Sequence, residues 1–114
     1  MVQDCIFCRI AGGDLESDIL YRDEHCFVIR DIEPKASVHM LVIPNKHFTY
    51  LQGLTSEHDS MLGSMFRVAW IMVEREGISE SGYRLTVNQG DDAGQQVPHL
   101  HLHILGGNSL GSMA

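Results

Sequence analysis

The order of apolar and polar positions divides this chain into short alternating runs on either side of one long periodic run. ILY (residues 19–21), HCFVIRD (25–31) and VHMLVIP (38–44) are rich in β-branched and aromatic residues. The turn-prone RDE and EPKAS separate them, which predicts three strands. Successive side chains of a strand point to opposite faces. Cys26, Val28, Val38, Met40 and Val42 therefore share one face, whereas Phe27, Ile29, Asp31, His39, Leu41 and Ile43 share the other.

From residue 56 the period changes. In SEHDSMLGSMFRVAWIMVEREG (56–77), at about 100° per residue, Met61, Leu62, Met65, Phe66, Val68, Ala69, Met72 and Val73 form one wide apolar arc opposite Ser60, Gly63, Ser64, Arg67 and Glu74. This is a helix that Thr55 or Ser56 can cap, with Glu57 and Asp59 at its positive end and Gly77 available to close it. The methionines and Phe66 are expected in the core. Ile71 projects into the polar arc and Trp70 sits on its edge, so the helix has more apolar surface than a monomer requires, which hints at a dimer interface.

Beyond the helix, YRLTVNQ (83–89) and PHLHLHIL (98–105) read as two further strands joined by the loop GDDAGQQV. Five strands and one long helix predict an α+β fold, an antiparallel sheet covered on one face by the helix. Leu85, Val87, Leu100, Leu102 and Ile104 would meet the helix. Asp31, His39, Asn88, His101 and His103 would then gather on the opposite face.

Length and composition narrow the class. A chain of 114 residues with 44% hydrophobic content is sized for one domain, 1–114, and no repeat or linker divides it. No apolar run approaches the ~20 residues of a membrane span, and MVQDCIFCRI lacks the layout of a secretory signal, so a cytoplasmic protein is expected. A formal charge of −7 with eight Lys plus Arg argues against nucleic acid as a partner, although a small phosphate compound remains compatible. Three cysteines suit a reducing compartment and leave Cys5 and Cys8 to metal or redox chemistry.

The chemistry concentrates in VPHLHLHILGG (97–107). In an extended strand His99, His101 and His103 share one face, roughly 6.5–7 Å apart, with Leu100, Leu102 and Ile104 behind them. Core packing does not call for three titratable rings in a row. Three uses compete: a metal site, nucleophilic attack by a neutral imidazole on phosphorus or a carbonyl, or ligand binding without turnover. The loop GDDAGQQ alone is an ordinary turn, but beside the histidines its glycines would let backbone N–H groups approach an anion. Asn88, His103 and the loop could then hold oxygens on phosphorus while His101 reaches the phosphorus itself.

HLHLHIL, together with CIFCRI, FVIRDIEPKASVHMLVIPNKH, YRLTVNQG and AGQQVPHLHLHILGG, resembles the histidine triad (HIT) superfamily almost from end to end, and the LGG ending is similar to its Hint branch of nucleoside phosphoramidases. The resemblance implies a homodimer whose sheet extends across the interface, a short N-terminal helix, and hydrolysis of purine nucleoside 5′-phosphoramidates or related AMP esters. By position, His101 would be the nucleophile that forms a nucleotidyl-histidine intermediate. His103 would contact the α-phosphate and assist the leaving group, and His39 would support the nucleophile. Asp31 would bind the ribose, with Ile6, Phe7, Ile29 and Ile32 bordering the base and Asn88, Gly94, Gln95 and Val97 on the phosphate side. Gln96 stands where many animal relatives have a phosphate-touching serine, and NSLGSMA lacks the tryptophan-bearing tail of those relatives, so leaving-group preference does not transfer. Other branches cleave dinucleoside polyphosphates or transfer nucleotidyl groups, and a purine-binding scaffold dimer without turnover is the reading from another class.

The same resemblance implies a structural, non-catalytic zinc held by Cys5, Cys8, His47 and His99, and no organic cofactor. The alternatives for CIFC are two small buried thiols or a redox pair. Cys26 is expected to be packing, and His25 and His58 carry no functional signal.

Overall fold

The computed structural model describes residues 5–113. β1 (Ile19–Arg22), β2 (Cys26–Arg30), β3 (Val38–Pro44), β4 (Tyr83–Thr86) and β5 (Leu102–Gly106) form one antiparallel sheet in the order β1-β2-β3-β5-β4. The chain is α+β, as its alternation predicts. β3 lies at the centre with Met40, Leu41, Val42 and Ile43 all buried, which explains why its sequence is nearly continuous in apolar residues.

The two faces separate as parity requires. Cys26, Val28, Met40, Val42, Leu100, Leu102 and Ile104 pack against Met61, Met65, Val68, Ala69, Met72 and Val73 of helix α2 (Asp59–Arg75), with Leu85 and Val87 half-buried beside them. On the opposite face Phe27, Ile29, Leu41 and Ile43 meet Phe7 and Ile10 of helix α1 (Ile6–Ala11) and Cys5 just before it. A helix of six residues is too short to be stable alone, so this packing must hold it.

Three local expectations change. The α-helix begins at Asp59 because Ser56–His58 form a 3₁₀ turn, tightened by the Glu57 N–H donating to Thr55 Oγ1 (3.2 Å) and the Thr55 N–H donating to His58 Nδ1 (2.9 Å). His58 thus closes the capping box of that turn and makes no side-chain capping bond to the α-helix that follows. Phe66, expected in the core, is 54% exposed, and Trp70, one turn further on, is 57% exposed. The apolar arc of α2 is wider than the sheet beneath it can cover. Thirdly, the ladder of β5 starts at Leu102, where Val42 is its last β3 partner. Pro44 has no N–H to extend it, and the Leu100 N–H turns instead to the Phe48 carbonyl.

The end of β5 and the turn after it account for the glycine pair. A Cβ on Gly106 would lie 2.8 Å from Ile78 Cδ1 and 3.2 Å from the Gly82 carbonyl oxygen, whereas Gly107 turns the chain at φ +86°. Among the described residues no helix is long and apolar enough to cross a membrane.

Candidate active site

Between α1, the sheet face it leaves open and the loop before β5 lies a cleft of about 610 Å³, large enough for a small organic ligand. Every residue anticipated above as catalytic or substrate-binding lines it: Ile6, Phe7, Ile29, Asp31, Ile32, His39, Asn88, Gly94, Gln95, Gln96, Val97, His101 and His103. One end is apolar, built by Ile6, Phe7, Ile29 and Leu41. Ile32, 90% exposed, stands at the rim. Asp31 Oδ1 accepts the Glu33 N–H at 2.8 Å, which leaves its other oxygen toward the cleft and His39.

The hydrogen bonds fix a tautomer for each histidine. His101 Nδ1 lies 2.6 Å from the His99 carbonyl oxygen; only an N–H can donate there, so Nε2 carries the free lone pair. The Lys35 N–H donates to His39 Nδ1 at 3.0 Å. Neutral His39 must therefore carry its proton on Nε2, which donates to His103 Nδ1 at 2.9 Å. His103 in turn is left with an Nε2–H. Two adjacent rings, with centroids 4.9 Å apart, thus offer opposite chemistry: a lone pair on His101 and a proton on His103. His39 reaches His103 and is not hydrogen-bonded to His101. The proton on His39 Nε2 also makes Asp31, His39 and His103 a poor metal set despite their proximity.

Burial keeps these rings neutral. It pushes His103 down to about 4, helped by the neighbouring His101 and His39, and it lowers His101 and His39 against the opposing pull of Asp31.

On the phosphate side, Gln95 uses its side chain internally: Oε1 accepts the Gly90 N–H (2.9 Å) and Nε2 donates to the Thr49 carbonyl (3.1 Å). Gln95 shapes the loop instead of offering its amide to the cleft. Asn88 and Gln96 line the cleft, and Gly94 turns the loop at φ +76°.

Behind α1, the donor atoms of Cys5, Cys8, His47 and His99 lie within 4.8 Å of one another. His99 Nε2–H donates to the Pro44 carbonyl (2.9 Å), so its Nδ1 is bare, 3.3 Å from Cys5 Sγ and 3.5 Å from Cys8 Sγ. His47 Nδ1 is 3.2 Å from Cys8 Sγ, with Nε2 3.0 Å from Thr49 Oγ1. Around a tetrahedral ion with metal–sulfur bonds near 2.3 Å and metal–nitrogen bonds near 2.05 Å, N···S separations are about 3.5 Å. The set therefore fits a soft divalent cation, with Pro44 and Thr49 orienting the two imidazoles from behind. Cys26 lies apart, and burial pushes its thiol up to about 12, as suits a packing residue.

Sequence reasoning missed part of the cleft wall. Thr86 and Arg84 share face parity with Asn88, and Leu105 with the histidines, so alternation could have found them. Met113 joins the wall from the tail, which Arg84 holds by donating to the Gly111 carbonyl at 2.8 Å. No pattern signals that contact.

Known proteins are similar to this chain over most of its length. The HIT domain family matches residues 13–110. The purine nucleoside phosphoramidase of Escherichia coli (strain K12) is 42% identical over 113 residues, covering 99% of this chain and 95% of that protein. Among solved structures, a HIT family hydrolase from Clostridium thermocellum superposes with a TM-score of 0.93 at 40% identity, covering 98% of this chain and 97% of the other. One from Legionella pneumophila gives 0.91 at 36%, with 95% and 96% covered.

Proposed function

Because this chain belongs to the HIT family, we propose that it is a hydrolase of purine nucleoside 5′-phosphoramidates and related AMP esters, acting through a nucleotidyl-histidine intermediate on His101. The observation that carries this reading is the pairing of tautomers: a bare Nε2 on His101 beside an Nε2–H on His103, both in the cleft wall. Ile6, Phe7, Ile29 and Leu41 take the purine, and Asp31 takes the ribose hydroxyls. Asn88, Gln96 and the backbone around Val97 surround the phosphate.

His101 Nε2 attacks phosphorus, and the bond to the leaving nitrogen or oxygen breaks. His103 Nε2–H delivers its proton to the departing atom and recovers one from the water of the next step. Water next displaces the nucleotide from His101, whose Nδ1–H stays on the His99 carbonyl throughout. His101→Gly tests this directly. The variant should bind AMP as the parent does, turn over nothing, and regain hydrolysis when free imidazole is added. Unimpaired hydrolysis without imidazole rejects the covalent route, and a pure binder would give neither a burst nor steady release.

Zinc is the cation we assign to Cys5, Cys8, His47 and His99, as two thiols and two imidazoles at tetrahedral separations favour it. Its bound chemistry is that of a closed structural site. The oligomer we assign is a homodimer, supported by Phe66 and Trp70 exposed one turn apart on α2 and by the unpaired edge of β4.

A further inference from the structure

The four-donor cluster does more than pin the N-terminus, because each of its elements continues into a different wall of the cleft. Cys5 and Cys8 flank Ile6 and Phe7, the residues of α1 that face the cleft, and Phe7 packs edge-on against both His99 (5.7 Å between ring centroids) and His101 (5.1 Å). His99 offers its ring to the cluster while its own carbonyl receives the His101 Nδ1–H. From His47, Nε2–H donates to Thr49 Oγ1, the Thr49 carbonyl receives Gln95 Nε2–H, and Gln95 Oε1 receives the Gly90 N–H of the loop beside the phosphate position. Base wall, nucleophile and phosphate loop therefore all end on one constellation.

We propose that the Cys5–Cys8–His47–His99 site is a control point for the nucleotide cleft: a bound divalent cation preorganises the purine wall, His101 and the loop at 90–95 together, so that metal and nucleotide bind with positive coupling. This rests on the reading of the cleft as a nucleotide site. It adds that the ion's contribution to function runs through Phe7, the His99 carbonyl and Thr49, with no bond from metal to substrate. Filling the cluster orders the groups that nucleotide binding otherwise has to order, and coupling of this kind is reciprocal: the factor by which zinc tightens AMP equals the factor by which AMP tightens zinc.

Binding of AMP to zinc-loaded and chelator-stripped protein, by calorimetry, measures the first factor. Competition for zinc with a chromogenic chelator, with and without saturating AMP, measures the second. Both should be at least fivefold and should agree. Equal AMP affinity in the loaded and stripped forms, with circular dichroism showing the stripped form folded, overturns the proposal. If stripping unfolds the chain, Thr49→Val decides the matter. It removes the hydroxyl that receives His47 Nε2–H but keeps the carbonyl that holds Gln95, so the zinc-loaded variant should bind AMP at least threefold more weakly. Parental AMP affinity in that variant overturns the proposal. Failure of AMP to bind the loaded parent protein would instead reject the nucleotide reading itself, and so the two failures are distinct.

Discussion

His39 is buried and stands between a backbone N–H of Lys35 and the Nδ1 of His103, so its replacement tests whether the second histidine works through a dictated tautomer. In His39→Leu the His103 ring loses the donor at 2.9 Å that keeps Nδ1 free of a proton. His103 can then rotate, or place its proton on Nδ1 and turn a lone pair toward the leaving atom. A positioned acid contributes about 10²–10⁴ to rate. The ring retains its strand position and its packing on His101, so the lower half of that range applies: a loss of about 10²–10³ in kcat, roughly 3–4 kcal/mol of barrier. AMP affinity should change by less than about threefold, because His39 contributes no purine contact and little phosphate contact. The unpaired Nδ1 should also cost about 1–3 kcal/mol of stability. His39→Gln separates orientation from bulk. Its amide N–H can occupy the place of His39 Nε2–H and donate to His103 Nδ1, which should restore kcat to within about tenfold of the parent. The assay is single-turnover hydrolysis of an adenosine phosphoramidate, with AMP binding measured in parallel. Full activity in the leucine variant, or a glutamine variant as impaired as leucine while still folded, would refute the tautomer chain.

Other outcomes follow from the same geometry. His103 is held down to about 4, below the ordinary 6.5, so between these values the unfolded chain binds the extra proton and the folded one does not. Its contribution to stability is complete above pH 6.5 and declines as the pH falls toward 4; thermal melts across that window should be steeper in pH for the parent than for His103→Asn, and identical slopes would contradict the assignment. Gly107→Ala places a Cβ 3.1 Å from Ser37 Cβ at φ +86°, which should cost about 2–3 kcal/mol, read as a lower denaturant midpoint with unchanged m-value. Trp70→Glu puts a charge on the exposed turn of α2, and light scattering should report a monomer for the variant and, under the proposed homodimer, two chains for the parent; a parental mass that already equals one chain would remove the dimer.

What could be read in advance was whatever depends on a backbone period. Parity along β2 and β3 separated Cys26, Val28, Met40 and Val42 from Phe27, Ile29, Leu41 and Ile43, and the structure puts a different helix on each set. The same parity gathered Asp31, His39, Asn88, His101 and His103 in one wall. It worked for the histidines even though their segment is not laddered before Leu102 and the chain bends at 97–99. Phe66 went astray for a related reason: periodicity reports which residues share a helical face but not how much of that face the sheet can cover.

The protonation pattern was not legible, because it is set by main-chain groups that carry no residue identity. The Lys35 N–H and the His99 carbonyl would be there whatever side chains stood at 35 and 99, provided the chain followed the same path. The sequence can place His39, His101 and His103 on one face, yet three such rings could as well compete for a cation as divide a lone pair and a proton between them. That choice depends on where two backbone dipoles end. Substitutions that bend the loop at 33–37 or the turn at 97–99 should therefore impair chemistry while every catalytic side chain is still present. Pro at position 35 is the sharpest case, since it deletes the N–H that His39 Nδ1 accepts; Lys35 also lines the cleft, so Lys35→Ala, which keeps that N–H, is the reference for it. With that donor gone, His39 is free to put its proton on Nδ1, and relative to Lys35→Ala, Lys35→Pro should reproduce the kinetic defect of His39→Leu with nucleotide affinity preserved. Wild-type kcat in a folded Lys35→Pro protein would mean that something other than this main-chain bond sets the tautomers.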